Sequence, residues 1–255
     1  MCLIVFAYDI HPDYRFILAA NRDEFYARPT APAAFWDDAP NVFAGRDLEK
    51  GGTWLGVTRD GRFAAVTNFR QGYKLKDRSR SRGLLVSDFL RTRDEPGSYL
   101  EKIETTSGEY DGFNLMAGDR HDMFYFSNWS KERIKVAPGV HGLSNHLLDT
   151  SWPKVNRAKD GLARCLKGDS AALVDDLFSL LADDQRAEDA RLPDTGVTRE
   201  WERILSSVFI RSPDYGTRSS TVVLISRDHT VRFIERSFGA DARPLGTVRQ
   251  EVRGT

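Results

Sequence analysis

The second residue of the chain is a cysteine, at the head of the apolar run MCLIVFAYDI. Removal of Met1, which a small second side chain generally permits, would leave a thiol and a free α-amino group on one residue. An α-amino group titrates at about 7.7 to 8.0 and a thiol near 8.5, so the amine can act as a base for the thiol near neutral pH. Cys2 is therefore a candidate nucleophile that carries its own base, and a small buried hydrophobic residue is the alternative.

Four consecutive polar residues, Asn21-Arg22-Asp23-Glu24, follow the apolar run ILAA. If the strand continues through them, Asn21 and Asp23 lie on one face and Arg22 and Glu24 on the other. A hairpin would place this segment beside the first strand, near Cys2. A guanidinium close to a thiol favours the thiolate, and a carboxylate close to the α-amine orients it and raises its pKa. A solvated turn is the alternative interpretation.

Other polar residues follow or enter apolar strands. Asn68 in FAAVTNFR and Asn145 in HGLSNHLLD can donate to a developing oxyanion, although either could be a turn residue. Arg218 in YGTRSSTVVLI is a candidate contact for a substrate or nucleophile, or an exposed cation. His141 and His146 are five residues apart in a segment that contains glycine, which is a weak pattern for metal or haem. We therefore predict no metal site.

Composition excludes several classes of protein. The 255 residues contain 37 Lys plus Arg and 37 Asp plus Glu, so no overall charge favours nucleic acid or an anionic membrane. No apolar stretch approaches the roughly 20 residues that cross a bilayer, and no transmembrane segment is predicted. Cys2 and Cys165 are too few for a disulfide framework, and Cys165 in GLARCLK is expected in the core. A cytoplasmic location is the resulting expectation.

The strand and helix patterns predict one α+β domain over residues 1–255. The predicted helices come in consecutive pairs after consecutive hairpins. They do not alternate with single strands, as they would in a doubly wound parallel sheet. Pro and Ala in PTAPAAFWDDAP, and basic residues without periodicity in RQGYKLKDRSRSRG, predict two surface loops. The predicted hairpins join residues 3–10 to 14–22, 53–58 to 63–69, 113–119 to 123–129 and 220–226 to 230–236, and the predicted helices span 81–92, 96–106, 152–167 and 169–184.

Several segments resemble, in order, the NRDE family, whose eukaryotic members are called transport and Golgi organisation proteins. They are MCLIVFAY, NRDEFYARPT, AGRDLEKGGTWLGVTRDGRFAAVTNFR, SRGLLVSDFL and YGTRSSTVVLI, and they span essentially the whole chain. The family is similar in fold to N-terminal nucleophile hydrolases. The resemblance therefore implies an αββα sandwich of two antiparallel sheets flanked by helices, and the order of elements looks like the branch of penicillin V acylase and conjugated bile salt hydrolase.

That resemblance assigns the nucleophile to Cys2, the oxyanion asparagine to Asn68, a second polar site residue to Asn145 and a late arginine to Arg218. At the second strand those hydrolases carry an Arg and an Asp separated by two residues.

In this chain Arg22 and Asp23 are adjacent, so the carboxylate partner of the Cys2 site is Asp23 or Glu24. Asn21 and Glu24 are candidate substrate-binding residues.

Two functions remain open at this stage. One is an N-terminal cysteine hydrolase for an amide or thioester of an acyl group, without a cofactor. The other is a carrier for haem, acyl-coenzyme A or lipid that uses the same pocket, with the basic segment 74–82 meeting phosphates or propionates. Both imply a small acyl or haem-like ligand as partner, and neither predicts an oligomeric state.

Overall fold

The computed structural model describes residues 2–70 and 80–253, which contain thirteen strands and five α-helices. The strands are β1 Cys2–Tyr8, β2 Tyr14–Phe25, β3 Thr30–Trp36, β4 Ala39–Asp47, β5 Leu55–Thr58, β6 Phe63–Asn68, β7 Phe113–Gly118, β8 Met123–Ser127, β9 Arg133–Lys135, β10 Gly139–Leu143, β11 Tyr215–Ser226, β12 Thr230–Phe238 and β13 Pro244–Arg253. The helices are α1 Arg82–Arg91, α2 Pro96–Thr106, α3 Pro153–Cys165, α4 Leu173–Leu181 and α5 Arg199–Ile204.

The strands form two antiparallel sheets. The first has the order β10-β1-β2-β11-β12-β13, and the second has the order β3-β4-β5-β6-β7-β8-β9. The four predicted hairpins are present as β1/β2, β5/β6, β7/β8 and β11/β12. Each of the four predicted helices also has a counterpart, from α1 to α4. The predicted α+β class is confirmed.

Three apolar layers hold the sheets and helices together. One lies between the two sheets, where aromatic side chains such as Phe6, Phe16, Phe63 and Phe233 are buried. The second packs α3 and α4 on the outer face of the first sheet, and the third packs α1 and α2 on the outer face of the second. The order of layers is therefore helix, sheet, sheet, helix, which is the predicted αββα sandwich.

The central strands are apolar on both faces because both faces are covered. In β1, Leu3 and Val5 pack towards the helices, whereas Ile4 and Phe6 pack towards the other sheet. β1 lies between β10 and β2, so its first residue, Cys2, is held at the end of a central strand.

The prediction of a surface loop over residues 29–40 was wrong. This segment forms β3 and the start of β4, which pair as a hairpin at the edge of the second sheet. An edge strand tolerates Pro32, and the register shifts between Ala31 and Ala34. The backbone N–H of Ala33 donates to Glu235 Oε1 at 2.8 Å, a contact across 202 residues that local composition cannot reveal.

The second predicted loop, residues 70–83, lies mostly outside the described residues, and its last two residues begin α1. No sequence pattern predicted β9, β10, β13 or α5, of which β13 is largely exposed and β9 has only three residues. No helix in the described part of the chain is long and apolar enough to cross a membrane.

Candidate active site at Cys2

Cys2 and Arg22 face each other across the β1/β2 pair. They are register partners, so their side chains lie on the same face of the sheet, towards the second sheet. Both line a polar cleft of about 240 Å³, together with Asn68 at the end of β6. The predicted hairpin therefore brings Arg22 to the thiol, and the packing of the two sheets brings Asn68.

Opposing effects act on the Cys2 thiol. Burial raises the pKa of the thiol, and so does the nearby carboxylate of Asp23. The Arg22 guanidinium and a hydrogen bond from the Asp23 backbone act in the opposite direction. Burial prevails, so the pKa of Cys2 lies above its ordinary value. An activating base is needed for attack at neutral pH.

Asp23 lies on the opposite face of β2 from Arg22, as the period of two predicts. Its carboxylate is buried, and Oδ1 accepts from Thr217 Oγ1 at 2.7 Å. The Tyr215 hydroxyl donates to the Asp23 carbonyl oxygen at 3.1 Å. Burial raises the pKa of Asp23, and the Lys154 ammonium is the charge that most opposes this increase.

Glu24 lies at the rim of the polar cleft. Its Oε1 accepts from the Phe25 backbone N–H at 2.9 Å, and Oε2 is 4.0 Å from Arg28 Nε. Asp23, not Glu24, is the carboxylate among the principal influences on the pKa of Cys2. Of the two acids left open by the sequence, the geometry favours Asp23 as the electrostatic partner of the thiol.

Asn21 points away from the cleft, towards the helical layer. Its Nδ2 donates to the carbonyl oxygens of Leu181 at 2.8 Å and Val208 at 2.9 Å, and its Oδ1 accepts from Ser220 at 2.6 Å. The predicted substrate contact would require this buried amide to leave all three partners. The Asn21 side chain therefore connects β2 to the last residue of α4 and to the segment after α5.

Asn145 connects the cleft residues without facing the cleft. It is fully buried, and its Nδ2 donates to the Asn68 carbonyl oxygen at 2.9 Å. The Ser144 hydroxyl lies 2.9 Å from the Cys2 carbonyl oxygen and 3.2 Å from Asn145 Oδ1. Because the Asn145 amide is already engaged, Asn68 is the better placed of the two predicted oxyanion donors. Ser144, which sequence patterns did not single out, contacts the Cys2 backbone, and Asn145 continues the connection to the Asn68 backbone.

Arg218 is the extra residue of a β-bulge. The register of β11 against β2 shifts between Thr217 and Ser219. Arg218 Nη1 donates to the carbonyl oxygens of Phe25, Tyr26 and Arg28 at 2.9, 3.2 and 3.1 Å. The structure places this guanidinium over the chain after β2 and in a second cavity, rather than in the polar cleft.

Two functional candidates escaped the sequence patterns. The Arg22 guanidinium carbon lies 4.2 Å from the centroid of the Trp54 ring, a cation–π contact. The ring packs against Gly45, where an added Cβ would lie 2.4 Å from Trp54 Cη2. Trp54 reads as a core residue within the apolar run TWLGVT, so nothing in the sequence distinguishes it.

Lys154 is the second missed residue. It follows Pro153 in the first turn of α3 and is 3% exposed, and its Nζ has no hydrogen-bonding partner among the residues that the structure describes. Burial lowers the pKa of Lys154 to about 8, although Asp23 acts to raise it. A single lysine near the start of a helix gives no indication in the sequence that it will be buried or that its pKa will be lowered.

The histidines do not form a ligand pair. His141 Nδ1 lies 2.7 Å from Asp149 Oδ2 and its Nε2 lies 2.9 Å from the Ala137 carbonyl oxygen, so both ring nitrogens are engaged. His146 Nδ1 lies 2.9 Å from Thr150 Oγ1. Within residues 2–70 and 80–253, no group of three His, Cys, Asp or Glu residues is placed to hold a metal ion.

We expect any Soret shift of added haem to be the same in the parent protein and in His141→Ala or His146→Ala. Both ring nitrogens of His141 and Nδ1 of His146 already hold hydrogen bonds, so the two histidines could not ligate iron together without breaking a hydrogen bond of His141. Absorbance titration of the three proteins with haem is the measurement. Loss of a shift in either variant would show that a histidine ligates the iron.

Comparison with known proteins identifies the family. Residues 1–240 match the family model described as Transport and Golgi organisation 2. The chain belongs to this family. It is 41% identical to the Transport and Golgi organization protein 2 homolog of Bos taurus, over 99% of both chains. Identity to the Homo sapiens homolog is 38% over 93% of each chain, and to the Drosophila melanogaster protein 32% over 93% of this chain and 92% of that one.

Two solved structures similar in fold to this member of the Transport and Golgi organisation 2 family are named as hydrolases. An N-acylethanolamine-hydrolyzing acid amidase ortholog from Caenorhabditis elegans superposes with a TM-score of 0.52 and 9% identity, covering 88% of this chain and 92% of that chain. A mutant conjugated bile acid hydrolase from Clostridium perfringens, with its second-residue cysteine changed to alanine, gives a TM-score of 0.50 and 8% identity, covering 99% and 92%. At these identities the likeness establishes a shared fold.

Proposed function

We propose that this protein is an N-terminal cysteine hydrolase that cleaves an amide or thioester of an acyl group. The supporting observation is the placement of Cys2 in an open polar cleft, opposite Arg22 and beside Asn68. The similar structures support the proposal because one is named for hydrolysis of N-acylethanolamines and another for hydrolysis of conjugated bile acids.

In the proposed reaction, the α-amine freed by removal of Met1 accepts the proton of the Cys2 thiol. The thiolate attacks the carbonyl carbon, and the side chain of Asn68 with a backbone N–H stabilises the oxyanion. The leaving amine or thiol takes the proton from the α-ammonium as its bond to the acyl carbon breaks. Water then attacks the thioester on Cys2 with the amine as base, which releases a carboxylic acid and restores the thiol.

Arg22 and Asp23 have distinct roles in this reaction. The Arg22 guanidinium favours the thiolate from the cleft side of β2. Asp23 contributes its backbone to the sulfur, and its buried carboxyl lies on the other face of the strand, where the Lys154 ammonium favours the ionised form against the effect of burial. A carboxylate there favours the protonated α-amine that forms when the thiol is ionised.

The carrier function is the second candidate, and the raised pKa of the Cys2 thiol favours it. A thiol that stays protonated lines a binding cleft without reacting. Haem, acyl-coenzyme A or lipid would then occupy the polar cleft reversibly, and no acyl group would become attached to Cys2.

Mass spectrometry distinguishes the two functions. Intact mass of the purified protein is expected to show loss of Met1. Brief exposure to a panel of acyl p-nitroanilides and acyl thioesters is then expected to add one acyl mass, located on Cys2 by peptide mapping. Cys2→Ser should lose this thioester adduct, whereas the matched Cys165→Ser variant should keep it because Cys165 lies at the end of α3.

Two results would contradict the proposed hydrolase function. Retention of Met1 in the mature protein would leave Cys2 without a free amine. Saturable ligand binding without any adduct or released product, in protein that has lost Met1, would favour the carrier.

A further inference from the structure

A second cavity lies on the other side of the Arg22–Trp54 pair from Cys2 and the polar cleft. It has a volume of about 240 Å³ and opens between β3 and the β12/β13 pair. Its mouth is apolar and accessible, since Leu245 is 55% exposed and Val248 and Phe238 stand beside it. The inner end is polar and buried. Arg22 is 6% exposed there and Ser219 is 4% exposed. The cavity therefore changes from an apolar entrance to a polar, buried interior.

Two guanidinium groups line this cavity without an acidic partner. Arg22 Nη1 donates to Thr30 Oγ1 at 3.3 Å, and Arg218 Nη1 donates only to backbone carbonyl oxygens. Among the described residues, neither guanidinium forms an ion pair with a carboxylate. Arg28, in contrast, is paired with Asp47 at 2.7 Å. The positive charges of Arg22 and Arg218 are close enough for Arg22 to lower the pKa of Arg218, after the effect of burial.

Unused donors remain at the inner end. Arg218 Nε is buried and has no acceptor within the described part of the chain. The Ser219 hydroxyl lies beside the Glu235 carboxyl but meets no partner at good hydrogen-bonding geometry. Buried donors without acceptors are rare in folded proteins because desolvation is not compensated. A bound acceptor would satisfy these groups.

Glu235 does not supply that acceptor. It is 1% exposed, its Oε1 accepts from the Ala33 backbone N–H at 2.8 Å, and its Oε2 lies 3.5 Å from Thr221 Oγ1. Burial raises the pKa of Glu235, which favours its neutral form. Its hydrogen bond to Ala33 holds the edge strand β3 to the first sheet. The Arg22 guanidinium is near enough to oppose the increase in the pKa of Glu235, but the two side chains form no ion pair among the described residues.

We propose that this second cavity binds the carboxylate of an apolar acid, with the carboxylate held by Arg22 and Arg218 and the apolar body against Phe238, Leu245 and Val248. A planar carboxylate suits the fork of donors that guanidinium presents. The apolar entrance excludes a small, fully polar anion as the preferred ligand. Because Arg22 also faces Cys2, occupation of the cavity reduces the positive charge that favours the thiolate. This coupling holds whether or not Cys2 turns over a substrate.

Calorimetric titration with three eight-carbon probes tests the site. Octanoate is expected to bind saturably to the full chain, octanol about tenfold or more weakly, and octylamine not at all, because only the carboxylate satisfies the guanidiniums. Val248→Trp should fill the cavity and abolish octanoate binding. Glu251→Trp, on the same strand but not lining the cavity, is the matched control that should retain it.

A second readout reports the coupling through Arg22. Saturating octanoate is expected to slow iodoacetamide labelling of Cys2 at pH 7.5 about threefold or more, and this effect should disappear in Val248→Trp. The readout needs no catalytic turnover, so failure of the hydrolase proposal leaves it intact. Equal affinity for octanoate and octanol, octanoate binding that survives Val248→Trp, or labelling unaffected by bound octanoate would each overturn the proposal.

Discussion

Replacing Arg22 by alanine is expected to raise the pKa of the Cys2 thiol, because it removes a positive charge that favours the thiolate. Each unit of increase corresponds to about 1.4 kcal/mol between the two protonation states. Arg22 is the register partner of Cys2 and is nearly buried, so its charge acts through little solvent. Because burial already holds the pKa of the thiol above its ordinary value, the small thiolate fraction near pH 7.5 would fall further, and labelling there would slow. Iodoacetamide labelling, followed by mass spectrometry from pH 6.5 to 10, measures this change.

The two neighbouring acids give the experiment a matched pair of variants. Asp23→Asn is expected to lower the pKa of Cys2 because it removes a nearby negative charge while retaining the backbone hydrogen bond to the sulfur. Glu24→Gln should change the labelling profile less, since the Glu24 side chain lies at the rim beside Phe25 and Arg28. Circular dichroism of each variant checks that the fold is retained.

The relative size of the three changes in the Cys2 labelling profile distinguishes two structural interpretations. Identical labelling profiles for the parent and all three folded variants would mean that the segment Asn21–Glu24 is not electrostatically coupled to the Cys2 thiol. A larger effect from Glu24→Gln than from Asp23→Asn would assign the coupling to the carboxylate on the same strand face as Arg22. The described geometry would then not represent the charge distribution around Cys2.

The local sequence pattern was sufficient to predict the first hairpin and the position of Arg22 beside Cys2. A short turn between two apolar runs fixes the register, and the period of two then determines which of Arg22 and Asp23 faces the second sheet. The approximate placement of Cys2 beside Arg22 could therefore be predicted. Asn68 reaches the same cleft through the packing of the two sheets. Its amide side chain after an apolar strand and the family resemblance both indicated it as a candidate, but neither revealed the contact between the sheets.

Features that depend on distant contacts could not be predicted. β3 contains Pro32, and its backbone is satisfied by a glutamate more than 200 residues away. The bulge at Arg218 redirects a predicted site residue to a different cavity. Lys154 looks like any lysine in a first helical turn until α3 packs against the first sheet. In each case the decisive partner lies in another layer of the sandwich.

Lys154 leads to the second large prediction, which concerns stability against pH. Burial lowers its pKa in the folded protein to about 8, whereas an unfolded lysine titrates near 10.4. Between these values the unfolded chain binds more protons, so the free energy of unfolding is expected to rise with pH. The rise from this residue is about 1.4 kcal/mol per pH unit, or roughly 3 kcal/mol over the whole interval.

Lys154→Met should remove this increase. Chemical denaturation at pH 7, 8, 9 and 10 gives the free energy of unfolding for parent and variant, and their difference isolates Lys154 from other titrating groups. Asp23, Arg70, Glu202 and Cys2 are the charged or titratable groups that influence the Lys154 ammonium. Because a thiol also titrates in this interval, both proteins are best compared in a Cys2→Ser background.

A matched variant controls for the loss of one positive charge. Lys167→Met removes an exposed lysine just beyond the end of α3 and should retain the rise of the parent protein between pH 8 and 10. Parallel stability curves for the parent and Lys154→Met would contradict a buried ammonium at this position. A rise that disappears only in Lys154→Met would establish that the first turn of α3 holds a lysine that loses its proton near neutral pH, close to Asp23 and the Cys2 strand.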